Sequence, residues 1–187
     1  MPSLSEADRR AALQLARMAV VEAVSHRKLP EVFPRAGVFA ERHAVFVTLH
    51  VRDRLQGCIG VIEAKEPLGE AIVRCAASAA LEDPRFAPMK QEQLDELSIE
   101  ISLLSPMEPI DPEAIEIGHH GLFVHLHAQR GLLLPQVAIE HRLTREQFLA
   151  ETCRKAGLQR EAWRDPEARL LGFTCEVFSE RLNSREA

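Results

Sequence analysis

The first group in this chain that could do chemistry is a cysteine set between glycines. In Leu55-Gln56-Gly57-Cys58-Ile59-Gly60 the thiol follows Gly57 directly and precedes Gly60 by two residues. Glycine has no Cβ, so Gly57 and Gly60 leave room for a ligand or another backbone to come close. The thiolate is the nucleophilic form of cysteine, and a reactive Cys58 needs a nearby cation, histidine or helix N-terminus to hold that charge. Spacing alone does not supply the partner. A small thiol buried beside a β-bulge satisfies the same residues.

Three further groups carry chemistry by type. In Asp83-Pro84-Arg85-Phe86 a helix ends and presents a carboxylate and a guanidinium together. Arg85 could clamp a carboxylate or phosphate with two parallel donors, or could pair with an acid of its own chain while Asp83 accepts from nearby backbone N–H groups. In Leu132-Leu133-Leu134-Pro135-Gln136-Val137 an apolar strand gives way to a turn or helix start, and Gln136 could line a cleft or serve as a surface or capping residue. His125 and His127 are two apart, so on one strand both imidazoles would project from the same face. A metal site needs a third ligand, which His50 or Glu100 could give only if the fold aligns their strands; no metal and no cofactor are expected.

These residues need a frame. Ser5 and Asp8 form a capping pattern ahead of Leu13, Ala16, Val20, Val21 and Val24, which predicts a helix from Glu6 to His26. After the turn-rich segment Lys28 to Gly37, alternation of Val45, Val47, Leu49 and Val51 predicts a half-buried strand. Arg52-Asp53-Arg54 reverses the chain, and Leu55 to Ala64 returns as the second strand of a hairpin. Pro67 suits the first turn of a helix whose apolar face is Leu68, Ile72, Cys75, Ala76 and Ala79, ended by Asp83-Pro84. A short helix over Lys90 to Glu96 and a strand over Leu97 to Ser105 follow.

The second half repeats this grammar. Gly121 to Ala128 reads as a strand, Gln129-Arg130-Gly131 as a turn and Leu132 to Leu134 as a short return strand. Thr144 and Gln147 form a capping box, with Leu143 and Phe148 as a hydrophobic staple and Gly157 as the stop. Leu170 to Phe178 reads as one last strand with Leu171, Phe173, Cys175 and Val177 on one face. The expected class is α+β, mainly antiparallel sheet flanked by helices.

Composition narrows the function classes. Of 187 residues, 46% are hydrophobic and 27% charged, the balance of a folded domain rather than a disordered tail. A net charge of −5 without a basic block, and only 5% aromatic residues, argue against nucleic acid as a partner. The four cysteines, Cys58, Cys75, Cys153 and Cys175, form neither a CxxC nor a secreted disulfide framework, which points to a reducing, cytoplasmic compartment. Gln14, Arg17 and Glu22 break the apolar run near the start, so it reads as an amphipathic helix rather than a signal peptide, and no membrane association is expected. Dinucleotide, P-loop, zincin and hydrolase-elbow motifs are missing from the sequence.

Five blocks in order carry a resemblance: Leu55 to Gly60, Asp83 to Phe86, Ser98 to Pro106, His120-Gly121-Leu122, and Leu132 to Ala138. Together they resemble the AMMECR family, also called AmmeMemoRadiSam system protein A. The likeness runs from about Ser5 to about Glu180. It implies a single domain over 1–187 with its core over about residues 5–180, built as two intimately packed, interleaved subdomains. It also implies an accessory place beside Memo-like and radical-SAM proteins; no close trio of cysteines here would hold an iron–sulfur cluster. Two positions depart from the family pattern. Gln56 stands where the hexapeptide of relatives has Arg, removing a charge, and Arg142-Leu143 stands where many relatives have a Trp before the helix. Two functions follow from different classes. One is an enzyme or substrate-binding component with a cleft built around Cys58 and the Pro84–Phe86 turn; the other is a non-catalytic adaptor that presents this surface to a partner protein.

Overall fold

The computed structural model describes residues 4–31 and 34–180, and Val32 and Phe33 of the turn-rich segment lie outside the described residues. Contacts divide the chain into two compact units, one formed by residues up to Leu103 together with the segment from Glu176, the other by Leu104–Cys175. The architecture is α+β, with two four-stranded sheets and helices beside them.

In the first unit, α1 spans Glu6–His26 with Ser5 as its N-cap, the Ser5 hydroxyl accepting from the Asp8 N–H. Strands β1 (Ala44–Val51) and β2 (Arg54–Val61) form an antiparallel hairpin, followed by α2 (Leu68–Leu81), a 3-10 turn at Gln91–Glu96 and β3 (Leu97–Leu104). Arg52 and Asp53 both take left-handed φ, 50° and 65°, the geometry that lets a two-residue turn follow the twist of its strands. The second strand is shorter than its sequence pattern, stopping at Val61. Pro67 caps α2 rather than entering it, and the Leu68 N–H finds the Glu41 carbonyl at 2.8 Å.

The core of this unit lies between the helices and one sheet face. Val45, Val47 and Leu49 of β1 and Ile99, Ile101 and Leu103 of β3 are buried against Ala16, Ala19 and Val20 of α1 and Ile72, Ala76 and Ala79 of α2. The small side chains on both helices let them approach closely, as the alanine-rich sequence of α2 requires.

The second unit contains β4 (Glu108–Pro109), β5 (Gly121–Leu126), β6 (Gln129–Leu133), α3 (Pro135–Glu140), α4 (Arg145–Lys155) and β7 (Arg169–Phe173). Its sheet has the order β4-β7-β5-β6, and its core gathers Ile115, Leu122, Ala138, Phe148 and Leu149. The capping box at α4 forms as expected, with Thr144 Oγ1 accepting from the Gln147 N–H and Gln147 Oε1 accepting from the Thr144 N–H. Leu143 packs on the same core as Phe148, and Gly157 takes φ 74° just beyond the helix.

Two expectations are corrected. The hairpin of the second unit turns at His127-Ala128, not at Gln129-Arg130-Gly131; His127 adopts φ 54°, and Gln129 already pairs with Leu126. Gly131 is needed for packing instead, since a Cβ there would lie 2.5 Å from the Ala156 nitrogen. The predicted strand over Leu170 to Phe178 is two strands in two sheets, β7 and β8 (Cys175–Ser179), with Thr174 between them. Leaving one sheet for another resets the alternation, so Phe178 is buried while Val177 is 41% exposed. Two ion pairs fasten the returning segment to α1: Arg9 Nη2 to Glu176 at 2.7 Å, and Arg17 Nη2 to Glu180 at 2.7 Å.

The cap of α4 gives a direct test. Thr144→Ala should cost about 1 kcal/mol in urea denaturation, and Thr144→Ser should stay near the original value, because only the hydroxyl acceptor matters.

Candidate functional site

The residues around Cys58 are organised by an edge. In the first sheet the strand order is β2-β1-β3-β8, so β2 has a neighbour on one side only. An edge strand leaves outward N–H and C=O groups unpaired, and each buried unpaired group costs about 1–3 kcal/mol. At Cys58 both are taken up by the turn after α2. The Cys58 N–H donates to Asp83 Oδ2 at 2.9 Å, and Arg85 Nη2 donates to the Cys58 carbonyl at 3.2 Å.

Asp83 is the hub of this contact. It is 5% exposed and accepts from Cys58 N–H, Arg85 N–H at 3.1 Å, Arg85 Nε at 2.9 Å and Arg85 Nη2 at 2.7 Å. The guanidinium hydrogen bonds, helped by the two backbone donors, hold its carboxyl well below the usual carboxylate range despite burial. Arg85 is raised in turn, first by Asp83 and to a smaller degree by the Cys58 side chain, and its guanidinium lies 5.3 Å from the centroid of the Phe86 ring. Asp83 and Arg85 therefore clamp the main chain of Cys58 and one another.

The thiol projects from the sheet face opposite the helices. Cys58 lies directly across from Thr48, and because its main-chain groups bond outward, this is the closer, non-hydrogen-bonded kind of pair. Thr48 Oγ1 donates to Cys58 Sγ at 3.2 Å. The glycines face other matter: a Cβ on Gly57 would sit 2.0 Å from the Ala79 carbonyl oxygen of α2, and one on Gly60 would sit 2.3 Å from the Phe46 ring. Both open positions are filled by the protein itself. Cys58 is half-buried, whereas Cys75 on α2 is fully buried and its thiol is pushed up to about 11 by desolvation. All four cysteines are free thiols.

Residues in phase with Cys58 share its face. On β1 these are Phe46, Thr48 and His50, since Val45, Val47 and Leu49 are in the core. On β3 they are Ser98, Glu100, Ser102 and Leu104, since Ile99, Ile101 and Leu103 are in the core. Ser102 is 1% exposed and its hydroxyl oxygen has no hydrogen-bond partner among the described residues. Thr48 and Ser102 were not singled out by sequence reasoning; their phase along the strands was readable, but the register that sets Thr48 across from Cys58 and the strand order that puts β3 beside β1 were not.

Gln56 acts as a latch. Its Nε2 donates to the Ala87 carbonyl at 2.9 Å and its Oε1 accepts from Gln93 at 3.4 Å. It also lines a cavity of about 610 Å³ with Arg52, Arg54, Glu92, Gln93 and Glu96, where Arg52 and Glu96 form an ion pair. Gln136 belongs to the second unit, half-buried in the first turn of α3. The His125–His127 pair does not present two imidazoles to one face, because β5 ends at Leu126 and His127 sits in the turn. Among the described residues no three His, Cys, Asp or Glu side chains are grouped to hold a metal ion.

Asp83 sets a pH-dependent contribution to stability. Its pKa is lower folded than unfolded, so the contribution is full above the unfolded value of about 3.9 and is lost as pH falls below it. Asp83→Asn should cost about 2 kcal/mol in urea denaturation at pH 7. The gap between variant and original should narrow steadily below about pH 4, and a gap independent of pH would contradict the clamp.

No helix among the described residues is long and apolar enough to cross a membrane. Similarity to other proteins extends over nearly the whole chain. A protein of Methanothermobacter thermautotrophicus is 43% identical over 187 residues, covering 95% of this chain and 96% of its own. Protein TK0174 of Thermococcus kodakarensis is 41% identical over 182 residues, covering 90% and 88%. The crystal structure of uncharacterized protein PH0010 from Pyrococcus horikoshii matches with a TM-score of 0.83 at 39% identity, over 90% of this chain and 89% of that one. The AMMECR1 family model matches residues 13–178, which include the clamped cysteine, its Asp83–Arg85 turn and the strands that carry them, and the chain belongs to the AMMECR1 family.

Proposed function

We propose that this chain is a cytoplasmic enzyme or substrate-binding component whose working group is the Cys58 thiol. The observation that carries the reading is the contrast between the two halves of that residue. Its main chain is fixed by Asp83 and Arg85, while its side chain is half-exposed on a polar sheet face. A rigidly held backbone with an accessible reactive atom is what positioning for chemistry requires. The Thr48 hydroxyl donates to the sulfur at 3.2 Å and fixes where the side chain points. The family resemblance adds an accessory role beside Memo-like and radical-SAM proteins.

The alternative is a non-catalytic adaptor that presents this surface to a partner protein. It draws on the internal use of Gly57, Gly60, Asp83 and Arg85, each of which meets the chain's own atoms. Alkylation separates the two. With iodoacetamide at pH 7, peptide mass spectrometry should find Cys58 modified at least about tenfold faster than Cys75 or Cys153, which are buried and whose thiols are pushed up by desolvation. Cys58→Ser should fold normally. Labelling of Cys58 as slow as that of Cys75 would favour the adaptor.

A further inference from the structure

Residues from the last turn of α1 and the second half of α2 line a cavity of about 490 Å³, the size of a small-molecule site. The two helices cover the sheet face opposite to the Cys58 thiol, so the cavity is separate from the groups around that residue. Small side chains leave the space open. Ala23 of α1 and Ala77 of α2 are nearly enclosed and end at Cβ, and neither helix fills the gap beside them. Leu81 lies one turn beyond Ala77 on the same stripe of α2, and Leu29, just past α1, adds an aliphatic wall that is 47% exposed.

The polar part of the lining is mostly of one sign. Arg27, Lys28 and Arg74 stand against a single carboxylate, Glu82, which accepts from the Ser78 hydroxyl at 2.7 Å. That balance runs against the rest of a chain whose net charge is −5. Lys28 has Glu22 at 3.6 Å and Arg74 has Glu66, neither acid being part of the lining. Arg27 has no acid partner among the described residues. It follows the last residue of α1 with φ 55°, its N–H bonded to the Ala23 carbonyl, in a left-handed helix end that glycine adopts with less strain than arginine. Helix ends attract cations, which accounts for Arg27 and Lys28 but not for Arg74 in the middle of α2.

We infer that this cavity binds a small amphiphile, an aliphatic chain that carries a carboxylate. The chain lies along Ala23, Ala77, Leu81 and Leu29, and the carboxylate meets Arg27, with Lys28 and Arg74 beside it. A guanidinium suits that head because it can give a carboxylate two parallel hydrogen bonds. Burial of the chain supplies most of the affinity, and the cations select the head.

The test titrates sodium decanoate, below its micellar concentration, into the full chain, followed by calorimetry and amide NMR. A dissociation constant of about 1 mM or tighter is expected for a ligand of this size. The shifted amides should gather at residues 23–29 and 74–82. Arg27→Gly removes the guanidinium and keeps the left-handed turn, so it should weaken decanoate about tenfold while the melting temperature holds or rises. Leu29→Glu, at an exposed position, should weaken it by at least about tenfold without loss of folding. Decyltrimethylammonium, the same chain with a cationic head, should also bind at least about tenfold more weakly. Equal binding of the two heads, or an affinity untouched by Arg27→Gly, would overturn the assignment, as would shifts lying outside the two segments. Sedimentation with phosphatidylglycerol vesicles but no binding of free decanoate would overturn it too, and would make this face a contact for an anionic bilayer.

Discussion

The contact between the Asp83 carboxylate and the Cys58 N–H joins two segments 25 residues apart in sequence. On one side is the end of a helix, on the other the open edge of a sheet. A carboxylate is a suitable cap for that edge because it can accept several donors at once, and here it accepts from Arg85 as well. Arg85 in turn returns a donor to the Cys58 carbonyl, so the pair of side chains imitates the neighbouring strand that β2 lacks. Without them, β2 would present exposed ladder groups next to a thiol, inviting both water and unwanted strand pairing. The same contact fixes where the thiol points.

Gly57 follows from this arrangement. For the turn after α2 to reach the strand edge, α2 must lie close over β2, and the Ala79 carbonyl occupies the space a side chain would need. A glycine before the cysteine is thus demanded by helix–sheet packing. The alternation of the strand then sends Cys58 to the far face, away from the alanines and into the company of Thr48 and His50. One face of the sheet is consequently an apolar core, and the other carries hydroxyl, thiol, imidazole and carboxylate groups beside the Phe46 ring. The division is what a four-stranded sheet covered by helices on one side must produce when the other side keeps polar residues in phase.

The returning segment after Thr174 shows how a short connection can serve two sheets. Five residues pair in the second unit's sheet and five more in the first unit's sheet, with two arginines of α1 holding the latter through Glu176 and Glu180. Glu180 also accepts from the Ile99 N–H at 2.9 Å, so one carboxylate links helix, strand and chain end. Half-buried ion pairs of this kind contribute through geometry and hydrogen bonding more than through bare attraction, which water screens.

By itself the sequence determined what depends on near neighbours. The limits of α1, the capping box of α4 and the alternation of β1 follow from hydrogen bonds and side-chain directions within a few residues, and all three appear in the structure. The glycine-flanked cysteine and the Asp83–Arg85 pair were also legible as chemical types. Their joining was not, because period-two alternation assigns a residue to a face and says nothing about which strand lies beside it. The turn at His127-Ala128 escaped notice because a left-handed histidine carries no glycine or proline signal, and the break at Thr174 because both flanking strands alternate smoothly in sequence. Strand order, register and the packing of α2 over β2 were decided only when distant segments closed on one another, since pairing across a chain is set by the free energy of the whole core rather than by any local pattern.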